Sequence, residues 1–259
     1  MRPSNGSFAV CAAQDDTLID IQHLTKKYGD FIAVNDLSLS VARGEIFGFL
    51  GPNGAGKTTT IRIIAGLSLP TSGDVRVNDI DVIAEPVKAK ALMGYVPDRP
   101  YLYEKLTGRE LLEFVVNLYG MQWRDVSNRA EEFLRYFDLH DWAGSRIESY
   151  SHGMKQKLVI ISALVHEPQV LIIDEPMVGL DALAQRLVRQ LMRRLANEGK
   201  TIFLTTHTLS IAEAVCDRVA IIHHGRIIAT GPTAELRKDR ALEDIFLELT
   251  YEEDQPAAQ

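Results

Sequence analysis

Cysteine is almost missing from this chain: Cys11 and Cys216 are the only two in 259 residues. Two thiols cannot build a disulfide framework or a thiolate zinc site, and they fit a reducing compartment. Long apolar runs are missing too. The longest, Leu158 to Val165, falls far short of the roughly 20 residues needed to cross a bilayer, so no segment is expected to span a membrane. Phe8 to Ala13 is too short for a secretory h-region and is followed by Asp15 and Asp16, which makes a cytoplasmic location the expectation. Basic excess is the third absence. With 28 Lys and Arg against 35 Asp and Glu, and a formal charge of -7, the chain lacks the cationic surface that nucleic-acid phosphates attract, and no nucleic-acid partner is expected.

What is present is ordinary globular material, 46% hydrophobic and 24% charged, long enough for one large domain or two small ones. Its most informative stretch is Gly51-Pro52-Asn53-Gly54-Ala55-Gly56-Lys57-Thr58, between the apolar run Ile46 to Leu50 and a helix-like Thr59 to Ala65. This is G-x-x-x-x-G-K-[ST] in its proper setting of buried strand, glycine turn and helix. The glycines let backbone N–H groups turn inward around a phosphate, and the helix N-terminus adds its positive dipole end. Lys57 suits the β and γ phosphates, and the Thr58 hydroxyl suits Mg²⁺. A solvated glycine turn is the bland alternative, and the filled motif positions argue against it.

Around this motif the chain falls into zones. Residues 1 to 16 read as a loose arm, and Leu18 to Leu24, Phe31 to Val34 and Leu37 to Val41 as short strands of an antiparallel layer. Tyr28, between the first two, could stack on a base or simply be an edge-strand tyrosine. Val75 to Ile80 reads as one strand, Pro86 to Met93 as a short helix and Gly94 to Val96 as a strand. Thr107-Gly108-Arg109-Glu110 is a capping box opening an amphipathic helix to Gly120. Val126 to Phe137 is a second helix, and Ser151 can cap a third, so that residues 99 to 165 form a helical block. An α/β pattern then resumes: strand Val170 to Ile173, helix Ala182 to Glu198, strand Thr201 to Leu204, a short helix from Ser210, and strand Val219 to Ile222. That alternation predicts a parallel sheet with its ligand at the carboxyl ends of the strands. His223 and His224 are expected on opposite faces of one strand. Leu242 to Leu249 reads as a terminal helix and residues 250 to 259 as an acidic tail.

Further chemistry sits at strand ends. Val170-Leu171-Ile172-Ile173-Asp174-Glu175 offers Asp174 to reach Mg²⁺ and Glu175 to orient the attacking water, although a solvated acidic strand end is common by itself. Thr205-Thr206-His207 delivers His207 to the same edge, where an imidazole could sense a γ-phosphate. A lone histidine is more often structural.

Order and spacing of these motifs over residues 17 to 249 resemble the ATP-binding subunit of an ABC transporter. The resemblance implies a P-loop NTPase core with a parallel sheet, an N-terminal antiparallel β layer and an inserted α-helical subdomain, an α/β fold. Gly51 to Thr58 matches the family's Walker A, Val170 to Glu175 its Walker B with catalytic glutamate, Gly179-Leu180-Asp181-Ala182 resembles its D-loop, and His207 matches its switch histidine. Tyr28 falls at its adenine-stacking aromatic. ATP and Mg²⁺ are the implied ligands, with Tyr28, Gly51, Asn53, Gly54, Ala55, Gly56, Lys57, Thr58, Thr59, Ser151 and Gly153 toward the nucleotide. Thr58, Asp174 and Asp98 point toward the metal, and Glu175, His207 and Asp98 toward catalysis.

Two positions depart from the family's commonest pattern. Tyr150-Ser151-His152-Gly153-Met154 stands at the signature usually read Leu-Ser-Gly-Gly-Gln, keeping the serine hydroxyl and one glycine at a helix start. Asp98 stands at the Q-loop glutamine, where a shorter, charged side chain alters metal affinity and coupling to a partner. The resemblance further implies a dimer, a homodimer before a heterodimer, and a separate membrane permease docked on the helical block and the Asp98 to Thr107 loop. The chain is therefore expected at the cytoplasmic membrane face. The wording around Gly48 to Thr60 and Leu106 to Glu110 resembles the exporter-like branch that pairs with ABC-2-type permeases; an importer subunit, or a soluble ABC ATPase acting on ribosomes or DNA, are the alternatives.

Overall fold

The computed structural model describes residues 16–237 and 241–254. The expected arm at 1–16 and the last five residues of the expected tail thus lie almost wholly outside the described residues. Five strands, β3 (Ile46–Leu50), β6 (Met93–Val96), β7 (Val170–Asp174), β8 (Thr201–Thr206) and β9 (Arg218–His223), run parallel, and β10 (Arg226–Pro232) closes one edge antiparallel. The order is β10-β9-β3-β8-β7-β6. Parallel neighbours joined through helices put the carboxyl ends of these five strands on one side, which is where a ligand can reach the loops.

Each central strand is apolar on both faces, as a covered parallel strand must be. On β3, Phe47 and Phe49 join one core with Phe203 of β8 and Ile172 of β7, while Ile46 and Leu50 join another with Ile202, Leu204, Leu171 and Ile173. The first core is shared with α1 (Lys57–Ile64) and with a four-stranded antiparallel sheet whose order is β2 (Phe31–Ala42), β1 (Thr17–Tyr28), β4 (Ser72–Val77), β5 (Ile80–Asp81). The second is shared with α3 (Gly108–Leu118), α4 (Trp123–Tyr136), α5 (His152–Leu164) and α6 (Ala182–Asn197). The expected antiparallel layer and inserted helices are both there. Thr107 caps α3 by accepting from the Glu110 N–H, and Glu110 reaches back to the Thr107 N–H at 2.8 Å, completing the capping box.

Several boundaries differ from the expectations. Phe31 to Val41 is one strand, β2 (Phe31–Ala42), paired along β1 (Thr17–Tyr28); Asp36 takes a φ of 53° and absorbs the irregularity without ending the ladder. Val75 to Ile80 is a hairpin: β4 (Ser72–Val77) turns at Asn78 and Asp79, both at positive φ, into β5 (Ile80–Asp81). His224 is not on a strand. It takes a φ of 45° in the turn after β9, and its ring centroid lies 4.0 Å from that of His223, so the pair do not face opposite ways. The short helix α2 (Pro86–Ala91) and α7 (Leu209–Val215) are where they were expected; α8 (Thr233–Arg237) was not foreseen, and α9 (Leu242–Asp254) runs past the expected end of the terminal helix. No helix among the described residues is long and apolar enough to cross a membrane.

Candidate nucleotide-binding and hydrolysis site

β3 ends at Leu50 and the chain turns through Gly51 to Gly56 into α1. Two of these glycines are sterically required. A Cβ on Gly51 would lie 2.4 Å from the Ile222 carbonyl oxygen, and one on Gly56, at φ 110°, would lie 2.5 Å from the Ala33 carbonyl oxygen. The loop is pinned from behind, since Gly225 N–H donates to the Ala55 carbonyl at 3.0 Å. Lys57 folds back across it and donates to the carbonyls of Gly51 at 2.6 Å and Pro52 at 3.1 Å. Burial lowers the ammonium's pKa, against the opposing pull of the Glu175 and Asp174 carboxylates.

A cavity of about 240 Å³ opens beside this loop, lined by Asn53, Gly54, Gly56, Lys57, Thr58 and Thr59 and, from the β1–β2 hairpin, by Tyr28, Phe31 and Ala33. Tyr28 is 52% exposed, with Lys26 Nζ 4.8 Å from its ring centroid. Phe31, across the turn and 63% exposed, escaped the sequence reading. Its only signal is a position at the mouth of the same hairpin. Both rings line the cavity beside the phosphate loop, exposed aromatic surface on which a base can stack.

The carboxylates arrive from the neighbouring strands. Asp174 pairs in register with Thr205, and Leu50 with Thr206, so the ends of β3, β8 and β7 converge. Asp174 is buried, and the Thr205 hydroxyl donates to its Oδ1. Its Oδ2 has no hydrogen-bond partner although it is buried. Burial raises its pKa, the Thr205 hydroxyl opposes the rise, and the nearby charges of Asp98 and Glu175 add to it. The orphaned Asp174 oxygen beside the Thr58 hydroxyl, which also acts on Asp174, suits a hard divalent cation that takes its remaining ligands from phosphate and water, since among the described residues no three His, Cys, Asp or Glu side chains converge on one point.

Glu175 follows in a left-handed conformation, φ 53°, its N–H bonded to the Thr205 carbonyl at 3.1 Å. His207 donates to its Oε1 from Nδ1 at 2.7 Å and from the backbone N–H at 3.1 Å, and Thr206 Oγ1 donates to Oε2 at 3.2 Å. Strain of this kind persists only where the surroundings impose it, and here it turns the carboxylate off the strand line toward His207. Lys57, Thr58, Asp98, Asp174, Glu175 and His207 thus gather at one edge. Ser151 and Gly153 do not join them. Ser151 caps α5 by accepting from the Met154 N–H at 3.3 Å, and neither residue lines the cavity at the phosphate loop.

A larger cleft, about 530 Å³, lies between α4, the end of α6 and the amino ends of β7 and β8. It holds Arg129, Arg194 and Lys200 against Asp125, Glu132, Glu167 and Glu198, charges of both signs with no convergent chemistry. Position at the carboxyl strand ends, not volume, makes the smaller cavity the candidate ligand site.

Comparison with known proteins bears on the family and the fold. Residues 34–178, more than half of the chain, match the protein family described as ABC transporter. The chain is 35% identical over 247 residues to a probable multidrug ABC transporter ATP-binding protein, YbhF, of Escherichia coli, covering 92% of this chain but only 43% of that protein. It is 40% identical over 213 residues to the Nod factor export ATP-binding protein I of a Rhizobium species, covering 82% of this chain and 70% of that one. A solved ATP-binding subunit of an ABC transporter superimposes with a TM-score of 0.86 at 36% identity, covering 90% of this chain and all of the other.

Proposed function

Since this chain belongs to the ABC transporter family, as an ATP-binding protein of it, we propose that it binds ATP with Mg²⁺ and hydrolyses it to power a separate membrane permease. The single observation that carries the chemistry is the Glu175–His207 contact at 2.7 Å, on the same strand-end edge as Lys57 and Asp174. Tyr28 and Phe31 take the base, the Gly51 to Gly56 N–H groups and Lys57 take the phosphates, and Thr58 and Asp174, with Asp98 nearby, hold the metal. When bound, Mg²⁺ neutralises phosphate charge. Glu175 draws a proton from the attacking water, and His207, its Nδ1 committed to Glu175, keeps Nε2 for the γ-phosphate.

Ser151 and Gly153 lie away from the phosphate loop of their own chain, so a second copy is the natural source of that segment at each nucleotide. A homodimer closed by ATP and opened by hydrolysis follows. The exporter reading is supported by the Nod factor export relative, and docking of the permease by Tyr101 and Tyr103, 82% and 63% exposed in the loop before α3. The working position would then be the cytoplasmic face of the membrane.

Glu175→Gln tests the assignment. The variant should keep ATP binding, lose on the order of 10² to 10³ in kcat, and accumulate an ATP-bound dimer on gel filtration. Hydrolysis at the wild-type rate would remove Glu175 from the role of base.

A further inference from the structure

His152 replaces a glycine of the usual signature, and its ring is turned onto its own chain. A Cβ built on Gly179 would fall 2.3 Å from His152 Cδ2 and 2.4 Å from Nε2, so the imidazole edge lies directly against the Gly179 Cα. Gly153 extends the contact: a Cβ there would come 3.2 Å from the Gly179 carbonyl oxygen. Gly179 itself takes a φ of +77°, so both its backbone and the ring above it exclude a side chain.

Each side of this contact is held independently. The start of α5 is fixed by the Ser151 cap and by the ion pair of Lys155 with Glu104. On the other side, Gln185 Nε2 donates to the carbonyls of Leu180 at 3.1 Å and Met177 at 3.4 Å, and Asp181 caps α6 by accepting from the Ala184 N–H at 2.7 Å. From Gly179 the chain returns to Glu175 in one turn, closed by the Val178 N–H on the Glu175 carbonyl at 3.3 Å.

We propose that His152 is a positioning residue for hydrolysis: it fills the space over Gly179 and so ties the start of α5 to the turn that carries Glu175. Packed atoms cannot pass through one another, so a displacement at Ser151–Gly153 is transmitted to Gly179 and on to Glu175 of the same chain. A glycine at position 152 leaves a gap that absorbs the displacement. Occupancy of the signature segment by a partner's nucleotide thereby sets the base of the chain's own site. The inference rests on the ATPase reading above.

The test is steady-state ATP hydrolysis by the full chain and its variants. His152→Gly should lower kcat about five- to tenfold while KM for ATP stays within about twofold, the split expected when positioning and not binding is lost. His152→Gln, planar and of similar reach, should restore most of that rate. Gly179→Ala should lose at least as much as His152→Gly, and the double variant should be no worse than Gly179→Ala by more than about twofold, because both substitutions remove the same contact and their losses do not multiply. A His152→Gly kcat within about twofold of wild type overturns the proposal. So does a loss that His152→Gln fails to restore, or a double variant whose loss is the product of the two single losses. Glu175→Gln is the control: absence of Glu175-dependent hydrolysis in the wild type brings down the ATPase reading itself, whereas normal hydrolysis with an unresponsive His152 series brings down this inference alone.

Discussion

Asp174 and Glu175 are neighbours in sequence with opposite circumstances. Glu175 accepts from three donors on Thr206 and His207, whereas Asp174 is buried with one oxygen unpartnered and two other carboxylates nearby. A folded-state pKa raised above the unfolded value contributes stability below the unfolded pKa and loses it as pH rises through the folded pKa, so ionised Asp174 is a net cost at neutral pH without metal. Asp174→Asn should therefore raise the melting temperature of the metal-free protein by a few degrees, about 1 kcal/mol, and abolish the further rise given by Mg²⁺ and ATP. Differential scanning calorimetry with EDTA and with Mg²⁺-ATP reads both; a lower melting temperature in EDTA contradicts the account. Asp98 enters the same balance. Metal binding needs ionised Asp174, so Mg²⁺ affinity should fall as pH drops through its raised pKa, and Asp98→Gln, by removing one like charge, should move that fall to lower pH. An unchanged Mg²⁺–pH profile would detach Asp98 from the metal site.

At the scale of elements, β6 shows how tightly the helical block is seated on the core. A Cβ on Gly94 would lie 2.1 Å from the Ala163 carbonyl oxygen of α5, backbone that cannot yield by a rotamer change. Gly94→Ala should cost about 2 to 3 kcal/mol in urea unfolding, the upper range for overpacking. A cost near zero would mean that β6 and α5 are loosely joined. The devices legible in the sequence were local ones: the phosphate loop, whose fixed residues sit at fixed offsets, and the Thr107–Glu110 capping box, whose donors and acceptors lie three residues apart. The joining of β2 across Asp36 was not legible, because a polar Asn-Asp pair in a strand looks like a turn until its partner β1 is seen. Phe31 at the base cavity and His152 on Gly179 escaped for a similar reason. Each acts on residues distant in sequence, and hydrophobic periodicity carries no record of such a contact.

At the scale of the whole molecule, the described residues present two edges suited to partners. The strand-end edge carries phosphate loop, metal carboxylates, base and histidine, while the capped start of α5 stands apart from it. The loop before α3 exposes Tyr101 and Tyr103, the latter edge-on to Phe114 with centroids 5.4 Å apart. In the reading proposed above, a second copy would complete the first edge and a membrane permease the second. The measurement that tests this most directly is mild detergent extraction of native membranes carrying a tagged chain, with mass identification of what co-purifies and ATP hydrolysis assayed on the product. The account predicts a polytopic membrane protein at comparable abundance and Glu175-dependent hydrolysis in the complex. Recovery of ribosomal or DNA-bound material with no permease would contradict it.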